Sequence, residues 1–153
     1  MNKWSAEFMF KRRIFLVLVA GITVLSLASQ LLAEGAQKPC TREEAMQAAD
    51  DTDHLDNWNA VYRSFKRFSQ CDDGGIAEGY SDDVGKLLAD HWDQFPRLVK
   101  LATNDRAFKA FVVRHIDETI PADTLKKAAK NAKTRCPANA TGLCKLIARA
   151  AVD

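Results

Sequence analysis

Six apolar side chains constrain this chain more than any other feature. Leu55, Trp58, Val61, Tyr62, Phe65 and Phe68 fall at offsets 0, 3, 6, 7, 10 and 13. That spacing places them on one stripe of a helix, with Arg63, Lys66 and Arg67 on the opposite side. So much aromatic surface on one face has to be buried, and the rest of the chain must supply what covers it. The stretch breaks at Cys71-Asp72-Asp73-Gly74-Gly75, where paired glycines tolerate the left-handed backbone of a tight corner.

The neighbouring segments carry the same 3.6-residue signal. Thr41-Arg-Glu-Glu44 is a capping-box pattern and predicts a helix start. Ala45, Met46 and Ala49 form the weak apolar side of that first helix. Asp50, Asp51 and Asp53 are expected to end it and to cap the next.

Beyond the glycine corner, Ile76, Ala77, Tyr80, Val84, Leu87, Leu88 and Phe95 read as a further amphipathic helix. Gly79 and Gly85 each lower helix propensity by about 1 kcal/mol, so close packing against a neighbour is expected there. Leu98, Val99, Leu101 and Ala102 make a short helix after Pro96. Asp105 caps the one carrying Phe108, Phe111, Val112, His115 and Ile116. Pro121 opens a helix with a thin apolar face of Leu125, Ala128, Ala129 and Ala132. Asn139 or Thr141 caps the last, with Leu143, Leu146, Ile147 and Ala150. No stretch alternates as a strand does. The expected fold is all-α, six or seven short amphipathic helices packed as antiparallel hairpins.

The amino end reads differently. Lys3, Lys11, Arg12 and Arg13 precede an uncharged apolar run from Ile14 to Leu32, followed by small residues. Residues 1–33 therefore read as a secretory signal peptide, and 34–153 as a single helical domain. At 19 residues the run is also long enough for an uncleaved anchor over 14–32. Cys40 follows Gln37, Lys38 and Pro39, which does not fit a lipoprotein site.

All four cysteines, Cys40, Cys71, Cys136 and Cys144, follow the signal, and export to an oxidising compartment turns an even count into two disulfides. Three connectivities are open. Local geometry favours Cys40 with Cys71 across the first hairpin and Cys136 with Cys144 around a short loop.

Without residues 1–33 the chain has 18 basic and 19 acidic side chains, so overall charge gives no reason to expect nucleic acid. The distribution is uneven: residues 34–93 carry a net −8 and residues 94–153 a net +7. Asp50 to Asp56 with Asp72 and Asp73 suit a basic partner, and Lys126, Lys127, Lys130 and Lys133 suit an anionic one.

Tests for chemistry end negatively. His91, His115 and Glu118 lack the convergent spacing of a zinc site. The aspartates at 50–56 fail the calcium-loop pattern, with Leu55 where an oxygen ligand belongs. Glu78, Asp82 and Asp83 share a helix face, but a glycosidase pair needs a cleft that a sequence does not show. With no nucleophile elbow, phosphate loop or redox Cys-x-x-Cys, no enzyme activity, metal or cofactor is expected. The expected function is an exported, non-enzymatic module of the inhibitor, immunity or assembly-accessory kind that binds another exported or envelope protein. The alternative is an envelope-associated structural protein on anionic lipid or cell-wall polymer.

Overall fold

The computed structural model describes residues 38–152, and these contain seven α-helices and no strand. The signal peptide expected over 1–33, and its alternative of an anchor over 14–32, fall outside the described residues. No helix within them is long and apolar enough to cross a membrane.

Helix α1 (Arg42–Thr52) begins with the full capping box: the Thr41 hydroxyl oxygen accepts from the Glu44 amide while the Glu44 carboxylate accepts from the Thr41 amide. Helix α2 spans Trp58–Phe68 and is capped by Asn57, whose side-chain oxygen accepts from the amides of Asn59 and Ala60. The cap is therefore not supplied by Asp50–Asp53, and Leu55 is buried just ahead of the helix. A 3-10 turn (Ser69–Cys71) leads into α3 (Gly74–Asp90), which Gly74 enters at φ 53°.

Helix α3 stops short of Phe95. His91 leaves the helical region, Trp92–Gln94 make a 3-10 turn, and Phe95 opens α4 (Phe95–Asn104) with Pro96 in its first turn. The apolar period continues through this break because Trp92 folds back and stacks on Phe95, ring centroids 4.1 Å apart. Asp105 caps α5 (Arg106–Arg114) by accepting from the Phe108 amide. Helix α6 runs Ala122–Thr134 after Pro121. Helix α7 (Thr141–Ala150) has no side-chain cap; a 3-10 turn over Ala138–Ala140 precedes it, and the Thr141 hydroxyl donates back to the Ala138 carbonyl.

Residues from Pro39 onward pack as one unit. Consecutive pairs α1–α2, α4–α5 and α6–α7 pair as hairpins, and α3 is the spine, packed against α1, α2 and α6. The stripe forms the core as expected: Trp58, Val61 and Phe65 are buried with Tyr80, Val84, Leu88, Phe108 and Phe111. Phe111 meets Phe65 at 4.9 Å and Tyr80 edge-on at 5.0 Å. The two predicted glycine contacts are real: a methyl on Gly79 would lie 2.9 Å from Thr52, and one on Gly85 would lie 2.8 Å from Ile120.

Helix α1 buries Ala48, while Met46 is 60% exposed and Ala49 faces solvent. Its anchor is a separate small cluster of Ala48, Phe68 and Cys71. Both favoured disulfides are present, Cys40–Cys71 with Cα atoms 4.9 Å apart and Cys136–Cys144 at 6.1 Å.

Candidate functional site

The segment joining α1 to α2 lies over the middle of α3 and leaves a cleft of about 330 Å³ lined by Asp53, His54, Leu55, Asp56, Asp83, Lys86, Leu87 and His91. Its floor is apolar, from Leu55 and Leu87, and its walls carry three carboxylates, two imidazoles and one ammonium. Asp83 is the central group. It occupies the half-buried flank of α3 between core residues Leu87 and Tyr80, so its side chain is only 15% exposed. One carboxylate oxygen stands 3.8 Å from the Lys86 ammonium, and the other is buried without a hydrogen bond. Lys86 is held more closely by Asp82, one residue before Asp83.

Burial pushes the Asp83 carboxyl up, and Asp82, Asp53 and Asp56 add to that push against the opposing charge of Lys86. It ends at about 6. A carboxylate with an unsatisfied oxygen in a cleft is costly, and such groups concentrate at binding and reaction sites.

A second polar cluster has a buried centre, with Asp117 half-buried and Arg114 exposed at its edge. Asp72 follows the Cys71 corner, Ser81 lies on α3, and His115 ends α5 with Asp117 two residues on. His115 Nε2 lies 3.2 Å from both oxygens of Asp72, and its Nδ1 lies 3.0 Å from Ser81 Oγ. The Ser81 hydroxyl donates to Asp117 at 2.9 Å. Arg114 reaches over the top and also donates to Asp72.

An aspartate, a histidine and a serine in series have the membership of a nucleophile relay. The arrangement does not present one. Ser81 is 1% exposed, its hydroxyl proton is directed to Asp117, and His115 is 3% exposed. Asp72 is enclosed: its side chain is 3% exposed and occupied by His115 and Arg114. Burial pushes its carboxyl up, but the hydrogen bond and charge of His115 and those of Arg114 outweigh this and hold it low. Of the predicted pair only Asp73 is exposed, as the cap of α3.

The basic helix divides likewise. Lys126 pairs with Asp123 and Lys127 with Asp90, whereas Lys130 and Lys133 are exposed and make no ion pair among the described residues. His115 and Glu118 do not share a helix face, because α5 ends at Arg114. His91 is exposed at the cleft, and among the described residues no three metal-binding side chains converge.

No protein-family model, curated protein or solved structure matches this chain. Any functional reading therefore stands on its own residues. The cleft joins two features that are separate in sequence, Asp53 and Asp56 of the joining segment and Asp83 of α3. Thirty residues part Asp53 from Asp83, and the glycine corner that folds one over the other is the only local hint that they meet. The Asp72–His115–Ser81–Asp117 cluster has no sequence signature, since its members come from three segments.

Proposed function

We propose that this chain is an exported, disulfide-stapled, non-enzymatic binding module of the inhibitor, immunity or assembly-accessory kind, and that its acidic cleft receives a basic segment of another exported or envelope protein. The observation that carries this reading is Asp83, a mostly buried carboxylate with one oxygen unpartnered, flanked by Asp53 and Asp56. An ammonium or guanidinium entering the cleft would supply the missing donor and be screened from water, which strengthens the pairing. The basic start and apolar run of residues 1–33, with four cysteines taken up in two disulfides, support export.

The test is a cross-linked pull-down of the tagged protein from its own cells, comparing wild type with a D53N/D56N/D83N variant. A stoichiometric partner recovered with the wild type and lost with the variant is the expected result. Equal recovery with both would remove the cleft from the reading.

A second reading rests on Lys130 and Lys133, which are exposed and make no ion pair among the described residues. They suit anionic lipid or cell-wall polymer, as in an envelope-associated structural protein. Sedimentation with vesicles containing phosphatidylglycerol, lost in K130E/K133E, is the outcome that reading requires.

A further inference from the structure

The buried cluster beside the Cys71 corner has a donor and acceptor count that fixes its charge. Asp117 accepts from Ser81 and, through its other oxygen, from the Thr119 amide at 2.9 Å. With its proton directed to Asp117, Ser81 has only lone pairs to offer His115 Nδ1, so Nδ1 must carry a hydrogen. On the ring's other side Nε2 faces a carboxylate, with Asp72 Oδ1 making no other hydrogen bond. A carboxylate also offers only lone pairs, so Nε2 must carry a hydrogen too. A neutral ring would leave one of these close contacts with no hydrogen in it.

We infer that His115 is a doubly protonated imidazolium bridging Asp72 and Ser81–Asp117, and that this bridge is a pH-sensitive latch fastening the disulfide-bearing corner to α3 and α5.

The charges around the ring agree. Asp72 faces it from the corner and Asp117 from the turn after α5, while Arg114 of α5 adds one positive charge on Asp72. Only the Asp72 and His115 side chains are enclosed, each 3% exposed, while Arg114 is exposed and Asp117 half-buried, so removing the ring proton leaves the Asp72 carboxylate without its buried counter-charge. From α3 the Tyr80 ring stands 5.5 Å away, its hydroxyl engaged with Ser64 of α2 at 2.8 Å. From α1, the charge of Asp51 reaches Tyr80, where with that of Asp72 it adds to the upward push of burial on the hydroxyl. Phe111 closes the remaining side edge-on at 4.4 Å. None of these offers a second acceptor or donor to the ring, so no neighbour compensates for the proton once lost.

The latch matters for what the corner holds. Asp72 is the next residue after Cys71, and Cys71 is bonded to Cys40 at the start of α1. Releasing Asp72 loosens the segment to which α1 is tied, and α1 has only a small cluster of its own. Loss of the ring proton is thereby transmitted to α1 through the covalent bridge.

The experiment is a pH series of NMR spectra on the exported protein with its disulfides intact. Nitrogen–proton correlation spectra report the protonation of both His115 nitrogens, and amide hydrogen exchange reports the corner and α1. Expected are a ring protonated at both nitrogens wherever the corner is protected, and protection at Asp72, Asp73 and Ala45–Ala49 falling about tenfold or more as His115 deprotonates, with a shared midpoint. In a folded H115Q variant this pH-linked step is absent. A singly protonated ring beside a fully protected corner, or the same step persisting in H115Q, would overturn the inference; so would a His115 transition with no change in exchange.

Discussion

Replacing Asp83 with asparagine should stabilise the protein at neutral pH and leave it nearly unchanged in acid. The carboxyl sits at about 6 in the folded chain against 3.8 ordinarily. The folded state therefore holds this proton more tightly than the unfolded state does. By linkage, stability falls as pH rises from about 4 to about 6 and is level above that. A rise of roughly two pH units at about 1.4 kcal/mol each makes the ionised form cost about 3 kcal/mol. With its side chain 15% exposed, little of this is screened away.

Asparagine escapes the charge cost but keeps buried polar atoms and gives up the attraction of Lys86, so the expected gain at pH 7 is about 1–3 kcal/mol. Asp72 and Asp117, both held low, act in the opposite sense and weaken the fold as pH falls through their folded values. For that reason the quantity to read is the difference between variant and wild type. Urea unfolding followed by circular dichroism at several pH values supplies it. A difference that grows from near zero at pH 4 to its full value above pH 6 is expected. A difference flat across that range would refute the assignment of strain to Asp83. Stabilisation together with loss of the partner in the pull-down would show that this residue trades stability for binding.

The disulfides should differ in weight. Breaking Cys40–Cys71, 31 residues apart, is expected to cost about 3–4 kcal/mol, and Cys136–Cys144, eight apart, about 2–3 kcal/mol, read from urea midpoints of paired Cys→Ala variants. The glycines should separate as cleanly. Gly85→Ala pushes a methyl to 2.8 Å from the buried Ile120 side chain and should lose about 1–2 kcal/mol despite its better helix propensity, whereas Gly142→Ala meets nothing within 4 Å and should gain about 0.5 kcal/mol in the same assay.

Periodicity made most of the fold legible, because each helix buries one face and that face repeats in the sequence. Caps whose geometry is local were legible too: the box at Thr41–Glu44 and Asp105 before Phe108 occur as read. The misreadings arose where a tertiary contact imitates a local pattern. Phe95 keeps the helical period of α3 although three residues of 3-10 turn intervene, because Trp92 stacks on it and donates its indole N–H to the Arg135 carbonyl. In α1 the weak apolar side lies about a third of a turn from the expected one, since alanines alone do not define a face and Phe68 decides which one is covered. The site was legible as types of residue and not as a constellation. Asp53, Asp56 and Asp83 were each visible as acidic, but burial alone distinguishes Asp83 from Asp82, one exposed position before it.

The order in which the cysteines are joined has a consequence for how the protein matures. The first bonds the second and the third bonds the fourth, so each thiol's correct partner is the nearest one along the chain. A polypeptide entering an oxidising space amino end first offers Cys40 only Cys71 until 65 more residues have followed. An enzyme that merely inserts disulfides as cysteines arrive makes the native pairs by default. If the chain is exported as proposed, maturation demands an oxidant and no reshuffling catalyst, and the protein should form correctly in hosts that lack disulfide isomerase activity.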